Sequence, residues 1–324
     1  MAGSDASRAA AMGWVLHARA AQYRWAGTGQ ASIKSFSGPA QYELEHGRVS
    51  VDPNHYLLLN DGEPYRITIP PRPPGDNPTR ARDVESFCVF FPTGALARAR
   101  WAAHADLDSC LDAPDGRASS LTLLNHPRRH DRVVSPMLSA LHHQYAALRH
   151  DPLGLDESLA RLMNAIVRVH DDTERMMAQL GAARPATREE LLRRVMIVRD
   201  YIHAHYAEPV TLVQLARKGA LSPNRVIQAY RQAFGTTPHR AVRQLRLAEA
   251  YRRLRQGHTS VTEVALAVGW DTPAAFSTAF KAVYGQSPRQ VLHGQSGDSE
   301  QDKPLGPSYG GGEPVHATQD GEKE

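Results

Sequence analysis

The chain has 324 residues, of which 41% are hydrophobic and 22% charged, enough to bury a sizeable core in about two domains. Its two cysteines, Cys88 and Cys110, are too few for a disulfide framework and lack the spacing of a zinc site, so we expect a reducing compartment. The N-terminus lacks a basic stretch followed by an apolar core, and no run of about eighteen apolar residues occurs. We therefore expect a soluble, cytoplasmic protein without a membrane segment.

The net charge of +4 is unevenly distributed along the chain. Residues 187–293 carry 16 Lys and Arg against 7 Asp and Glu, a local charge of +9. Residues 1–186 carry 20 of each kind and are neutral, and residues 294–324 carry 2 against 7. Because charge acts through the surface that carries it, the segment 187–293 is a polycation.

The first hundred residues are rich in Tyr, Ile, Val and Phe, which predicts β-strands and a half-buried sheet. A hairpin turning at His46-Gly47 is predicted within QYELEHGRVSV, and further strands in YLLLNDG, YRITI and ESFCVFF. The segment PPRPPGDNP, residues 70–78, is predicted to be an exposed loop because proline donates no ladder hydrogen bond. We expect residues 1–134 to form one β domain.

After Phe91 the apolar residues recur about every three and a half positions, which predicts helices. Two amphipathic helices are expected in residues 135–150 and 156–180, with apolar stripes formed by Leu138, Leu141, Tyr145 and Leu148 and by Leu159, Leu162, Met163, Ile166 and Val169. The helical region 135–186 is expected to end in the linker GAARPA, followed by a capping box from Thr187 to Glu190. The acidic tail 294–324 is expected to be disordered.

One pattern occurs twice, as TLVQLARKGALSPNRVIQAYRQAFG at 211–235 and as SVTEVALAVGWDTPAAFSTAFKAVYG at 260–285. The motifs TLVQ and SVTE each form a capping box that begins a helix. Ala220 and Gly269 are small, which permits a second helix to cross closely after a short turn. That second helix begins where an N-cap side chain precedes a proline, at Ser222-Pro223 and at Asp271-Thr272-Pro273. Each copy is therefore predicted to be helix, turn, helix.

Helical periodicity divides each second helix into an inner and an outer face. The inner stripes are predicted to be Val226, Ala229, Tyr230 and Ala233, and Phe276, Ala279, Phe280 and Val283. The outer residues are predicted to be Asn224, Arg225, Gln228, Arg231 and Gln232, and Thr272, Ala274, Ala275, Thr278 and Lys281. A helix-turn-helix also occurs in ordinary helical cores, but two matched copies with a local charge of +9 favour DNA binding.

The segment between the copies, from Pro238 to about Gln256, has no internal breaker and is predicted to be one connecting helix. At 1.5 Å per residue it would be about 29 Å long, close to the ~34 Å between successive major grooves on one face of DNA. The doubled pattern is therefore interpreted as a device for reading two adjacent grooves.

The motifs SPNRVIQAYRQAFG, TPHRAVRQLRLAEAYRRL, VTEVALAVGW and FSTAFKAVYGQSP resemble the AraC/XylS family of bacterial transcription regulators. The resemblance covers about residues 193–293 and implies a double helix-turn-helix domain, here bounded at 187–293, whose recognition helices enter major grooves. It implies that Asn224, Arg225 and Gln228 lie near bases. The residues expected at double-stranded DNA are Ser222, Pro223, Asn224, Arg225, Gln228, Arg231, Arg240, Arg243, Thr272, Ala274, Ala275, Thr278, Lys281 and Arg289. The second copy offers alanines, so we expect it to contribute mostly backbone affinity.

For the N-terminal half the resemblance implies a cupin-like β domain at 1–134 with accessory helices at 135–186, an α+β chain overall. It also implies a small-molecule effector, a homodimer formed through those helices, and RNA polymerase as a partner. Tyr42, Tyr56, Tyr65 and Arg66 are candidates for lining an effector pocket, with sheet-surface aromatics and a solvated arginine as the alternative.

A metal-dependent cupin-type enzyme fused to a helical interaction module is the rival hypothesis. It would need converging histidine and carboxylate ligands. His46 and His55 are too far apart, His142 and His143 point in different directions on a helix, and NHPRRH lies in a predicted loop. We therefore predict no metal, no cofactor and no catalytic residues.

Overall fold

The computed structural model describes residues 5–6, 12–45, 47–71, 83–106, 121–181, 184–257 and 260–294. The chain divides into two compact units, Met1–Glu174 and Arg175–Glu324. Cys110 and most of the predicted loop 70–78 and tail 294–324 lie outside the described residues. Within the described ranges, no helix combines the length and the apolar character needed to cross a bilayer.

The first unit contains two antiparallel sheets. Its strands are β1 (Asp5–Ala6), β2 (Trp14–Ala20), β3 (Tyr23–Thr28), β4 (Ser32–Phe36), β5 (Ala40–Leu44), β6 (Gly47–Val51), β7 (His55–Leu59), β8 (Pro64–Ile69), β9 (Val84–Phe90) and β10 (Arg128–Arg129). One sheet has the order β1-β2-β9-β4-β7-β10 and the other the order β3-β8-β5-β6. The predicted hairpin is formed by β5 and β6, which pair from Ala40 opposite Val51 to Leu44 opposite Gly47, although His46 lies outside the described residues.

The six-stranded sheet is buried on both faces, where the sequence predicted a half-buried sheet. On β7, Leu57 and Leu59 pack between the two sheets, while Tyr56 and Leu58 point to the opposite face. The strand β9 behaves in the same way. From Tyr56 to Leu59 and from Phe87 to Phe90, residues on alternate sides are all buried in one of two hydrophobic cores, because both faces are covered.

Three helices cover the outer face of that sheet. They are α1 (Ala95–His104), α2 (Val134–Leu148) and α3 (Pro152–Gln179). The predicted stripes on α2 and α3 belong to one core with Val15, Ile33 and Val89 of the sheet. The sheet of the same unit therefore buries these stripes.

The second unit is all helical within its described residues. After the end of α3 come α4 (Pro185–His205), α5 (Leu212–Gly219), α6 (Pro223–Phe234), α7 (Pro238–Gln256), α8 (Val261–Ala267), α9 (Pro273–Tyr284) and α10 (Pro288–His293). The capping box predicted at Thr187 is wrong, because α4 begins at Pro185 with Arg184 as its N-cap. Proline suits the first helical position, so the helix starts three residues earlier than predicted and Thr187 lies in its first turn. The mixed α and β composition predicted for the chain is confirmed, and the cupin-like form of the first unit stays a prediction.

Candidate nucleic-acid interface

Both copies of the repeated pattern begin with the predicted capping box. At α5 the Gln214 N–H donates to Thr211 Oγ1 (3.3 Å), and the Thr211 N–H donates to Gln214 Oε1 (2.8 Å). At α8 the Glu263 N–H donates to Ser260 Oγ (3.2 Å), and the Ser260 N–H donates to Glu263 Oε2 (2.9 Å). Each box satisfies two amides that would otherwise lack a partner at the helix start.

The turn that follows has a left-handed residue in both copies, Ala220 with φ 49° and Gly269 with φ 87°. A Cβ on Gly269 would lie 2.3 Å from the carbonyl oxygen of Ala207, so only glycine fits there. The predicted small residues are therefore confirmed. The structure adds that both residues, Ala220 and Gly269, adopt a positive φ.

The helix α6 presents a polar outer face. Ser222 caps it by accepting from the Arg225 N–H at 3.3 Å, and Val226, Ala229 and Tyr230 are buried as predicted. The predicted DNA-facing side chains are exposed except that of Arg225, which is half-buried; the exposed ones are Ser222, Pro223, Asn224, Gln228 and Arg231. The exposed helix face thus carries two amides and a guanidinium.

The helix α9 presents a face of small side chains. Thr272 caps it by accepting from the Ala275 N–H at 3.3 Å. The predicted outer residues Thr272, Ala274, Ala275, Thr278 and Lys281 are all exposed. The Thr278 hydroxyl donates to the carbonyl of Ala274 at 3.1 Å, so its proton is already used within the helix. Apart from Lys281, this face offers methyl groups and hydroxyl oxygens.

One inner residue of α9 was predicted wrongly. Val283 is 48% exposed, whereas Phe276, Ala279 and Phe280 are buried as predicted. Tyr284 takes the inner place, with its ring stacked on that of Tyr251 and tilted against that of Phe280, both at 4.7 Å between ring centres. Positions 283 and 284 are both compatible with a helical stripe, and the aromatic partner on α7 decides between them.

The connecting helix α7 runs from Pro238 to Gln256, as predicted. Arg240 and Arg243 are exposed, and the Arg243 guanidinium lies 5.5 Å from the ring centre of Trp270. Arg289, on α10, is exposed as well. None of these three arginines makes an ion pair with a carboxylate of the described residues 184–257 and 260–294.

Sequence reasoning missed Arg246, which fixes the second copy against the end of α4. Its Nε donates to the Tyr206 carbonyl (2.6 Å), its Nη1 to Gly269 (2.5 Å) and its Nη2 to Glu208 (2.9 Å). Partial burial lowers the pKa of this guanidinium from its usual value, although not enough to discharge it. In the sequence it looks like any other arginine of a basic helix, so no local signal identifies it.

Other basic residues of this unit are neutralised within it. Arg193 contacts Glu189 and Glu190 at 2.8 and 2.7 Å, and Arg252 and Arg253 contact Glu249 at 2.6 and 2.7 Å. The hydrogen bond from Arg252 holds the pKa of the Glu249 carboxyl below its usual value. These ion pairs join residues three or four positions apart within α4 and within α7, and they stabilise each helix. Because the paired charges partly cancel, they add less to the positive potential around the unit than the net charge of +9 suggests.

The four residues proposed for an effector pocket do not all meet at one place. Tyr42 is buried between the sheets, whereas Tyr56 is buried on the helix-covered face and donates to Asp131 Oδ2 at 2.6 Å. Tyr65 packs on Tyr42, with ring centres 5.6 Å apart, and Arg66 lies outside, bonded to Glu43 at 2.9 Å.

A buried lysine lies in the same inter-sheet core. Lys34 on β4 has its Nζ 3.5 Å from the ring centre of Phe90. Burial lowers its pKa to about 8. No sequence signal marked this position, because a single lysine in an alternating strand is ordinarily assigned to the solvent face.

A described cavity of the first unit lies elsewhere, at the edge of the helix-covered face. Its volume is about 390 Å³, and it is lined by parts of β4, β9 and α2, including Ser35, Phe87, Ser139 and His142. None of the four predicted pocket residues borders it.

The geometry of the second unit defines a double helix-turn-helix domain. Residues 215–294 match the family described as a helix-turn-helix domain. The transcriptional activator RhaS of Escherichia fergusonii is 35% identical over 95 residues, covering 29% of this chain and 34% of that protein. RhaS of Pectobacterium carotovorum is 33% identical over 99 residues, covering 31% and 36%. The chain thus spans about a third of the length of the curated relatives it matches.

A solved structure is similar as well. The C-terminal domain of AraT, a response regulator from Geobacillus stearothermophilus, is 29% identical in sequence. The match covers 34% of this chain and 91% of the AraT chain, with a TM-score of 0.31. These comparisons support the resemblance stated from the sequence motifs: the matched region of this chain is a helix-turn-helix domain similar to that of the HTH-type transcriptional activator RhaS.

Proposed function

We propose that the chain is a sequence-specific DNA-binding transcriptional regulator of the AraC/XylS type. The observation that carries the proposal is the pair of exposed helices, α6 and α9, held by a single 19-residue helix within the polycationic segment. Nineteen residues span about 29 Å, close to the ~34 Å repeat of the major groove. One chain can thereby place a helix in each of two adjacent grooves.

The two helices have different tasks in this proposal. On α6, Asn224 and Gln228 can pair bidentately with adenine and Arg225 with guanine, so α6 is the principal reader. On α9, the methyl groups of Ala274 and Ala275 can contact thymine methyls but form no bidentate hydrogen bond. The cations Arg231, Arg240, Arg243, Lys281 and Arg289 bind phosphates, and the capped starts of both helices place Ser222, Pro223 and Thr272 beside the backbone.

The first unit binds the small-molecule effector in this proposal. The cavity on its helix-covered face supports this better than the aromatic residues named from the sequence, because those residues do not converge. A homodimer, contact with RNA polymerase and a cytoplasmic location complete the proposal, following the resemblance to the family. Regulators of this kind are not enzymes, and the relatives' names describe transcriptional activators.

The test is DNA binding by the full chain after selection of a preferred site from a random duplex library. Affinity for that site should fall steeply with salt, since each phosphate contact releases counterions. Lys281→Ala should make the slope of log K against log salt shallower by about 1. Arg48→Ala is the matched control: it also removes one positive charge, but from an 83% exposed side chain on β6, and should leave the slope unchanged.

A folded chain that shows no salt-dependent affinity for any duplex would overturn the proposal. It would then favour a helical interaction module. Equal changes in slope for Lys281→Ala and Arg48→Ala would show that only the total charge matters and that α9 does not contact the backbone.

A further inference from the structure

Three side chains with metal-binding chemistry meet on the helix-covered face of the first unit. They are His17 on β2, Glu85 on β9 and His142 on α2, all half-buried, with one ligand atom from each lying within 4.8 Å of the others. His17 Nε2 lies 2.5 Å from Glu85 Oε1, and His142 Nε2 lies 3.6 Å from the same oxygen.

The backbone holds this arrangement in place. His17 is opposite Phe87 in the antiparallel pairing of β2 and β9, so Glu85 and His17 are diagonal neighbours on one face of the sheet. The helix α2 packs on that face and brings the His142 ring to 5.1 Å from the His17 ring and 4.5 Å from the Phe87 ring. Three elements far apart in sequence thus converge at one place.

We propose that His17, Glu85 and His142 bind a divalent transition-metal ion of the zinc type. Two imidazoles and one carboxylate form a ligand set that such ions accept, with the remaining positions left to water or to a small anion. Because Glu85 and His142 also line the cavity of about 390 Å³, those remaining positions face a space that a small ligand can enter.

The distances fit after one change. At metal–ligand distances of about 2.0–2.1 Å, ligand atoms of a tetrahedral ion lie about 3.3 Å apart. The separation between His142 Nε2 and Glu85 Oε1, 3.6 Å, is near that value. The 2.5 Å contact of His17 with Glu85 is a hydrogen bond, which the two side chains would exchange for coordination of one ion.

The contacts within the cluster shift the pKa values of two of its members. The hydrogen bond from His17 holds the pKa of the Glu85 carboxyl below its usual value, so the carboxylate is charged. Burial lowers the pKa of His142, against the opposing effect of Glu85.

Other charged and titratable side chains surround the three proposed ligands. On β2, Arg19 Nη2 lies 3.3 Å from Glu85 Oε1, but its side chain is 69% exposed and can move into solvent. On α2, the His143 ring lies 5.9 Å from the ring of His142, and Tyr145 lies 6.1 Å from that of His17. His130 borders the same cavity, where it contacts Ser135 Oγ at 2.9 Å.

The experiment titrates ZnCl₂ into the tag-free, chelator-treated full chain and follows the heat of binding, with Co²⁺ absorption as a second probe. We expect one strong site per chain. His142→Gln and Glu85→Gln should each weaken binding by about 10-fold or more, because each removes a ligand. His143→Gln is the matched control: it removes a neighbouring exposed imidazole on the same helix and should leave binding unchanged.

Zn²⁺ should also raise the melting temperature of the parent chain and of His143→Gln, but not of Glu85→Gln. Circular dichroism of each variant establishes that it is folded. Absence of Zn²⁺ binding to the parent chain, or equal binding by Glu85→Gln and the parent chain, would overturn the proposal. Neither result would affect the proposed DNA binding, which is measured separately.

Discussion

The two helix-turn-helix copies share their internal construction and differ in what they expose. In each, the residue after the turn donates back into the first helix, from Leu221 to Ala216 and from Trp270 to Ala265, both at 3.0 Å. Their recognition helices nevertheless present different chemistry, amides and a guanidinium on α6 and mainly methyl groups on α9. Scaffold and reading surface are thus separable: caps and turns are set by backbone requirements, while the outer face can change without cost to the fold.

The comparison extends to the helix that precedes each copy. Arg194 of α4 donates to the Ala220 carbonyl at 3.0 Å, and Arg246 of α7 donates to the equivalent Gly269 carbonyl at 2.5 Å. In both copies an arginine therefore satisfies the carbonyl of the left-handed residue. The second arginine makes two further carbonyl bonds, so the second copy depends more heavily on a single side chain.

The largest difference between the copies should appear at the left-handed residue of the turn. Gly269→Ala places a Cβ 2.3 Å from the Ala207 oxygen at φ 87°, so we expect a loss of about 3 kcal/mol or more in unfolding free energy. Ala220→Gly removes a side chain already at φ 49° and should change stability by about 1 kcal/mol or less. Chemical denaturation of both variants measures the difference. Equal losses would show that the two turns do not differ in backbone crowding.

The next largest effect should separate the two arginines. Arg246→Ala leaves three carbonyls without their charged donor and should cost about 2–3 kcal/mol. Arg194→Ala removes one bond to a carbonyl and a surface ion pair with Glu190 at 2.7 Å, and should cost about 1 kcal/mol or less. Denaturation measures both, and amide exchange near Trp270 should rise in Arg246→Ala alone. A matching loss in Arg194→Ala would mean that both copies rely equally on this contact.

The sequence predicted the second unit well because local rules specify it. Capping boxes, a proline at the first helical position and small residues at the turn are all visible within a few positions. The cluster of His17, Glu85 and His142 was not predictable in this way, because His17 and Glu85 are separated by 68 positions and meet only through strand pairing. The placement of Tyr42 and Tyr56 on different faces was not predictable for the same reason: which face of a strand is covered depends on elements distant in sequence.

Substitutions on the outer faces of α6 and α9 should show which helix specifies the DNA sequence. Gln228→Ala removes an exposed amide from α6 and should relax base preference at one or two positions, worth about 1–3 kcal/mol of discrimination. Thr278→Ala on α9 removes a hydroxyl already bonded to its own helix and should leave the preferred site unchanged. A binding-site selection on both variants decides. If Thr278→Ala alters the preferred site and Gln228→Ala does not, the assignment of α6 as principal reader is wrong.

The smallest change in unfolding free energy is expected at Val283, which helical periodicity assigned to the inner face. Val283 is 48% exposed, whereas the partner position in the first copy, Ala233, is buried at 5%. The periodic pattern treats the two as equivalent, but in the second copy the Tyr284 ring takes the inner place against Tyr251. Val283→Ala should therefore change the unfolding free energy by about 0.5 kcal/mol or less, as surface substitutions do. Tyr284→Ala, its neighbour, removes two ring contacts at 4.7 Å and should cost about 3 kcal/mol.

Denaturation of these two variants measures how α9 is rotated about its axis. If Val283→Ala is the costlier change, α9 presents a different face to its core. The assignment of Ala274, Thr278 and Lys281 to the outer face would then be wrong as well.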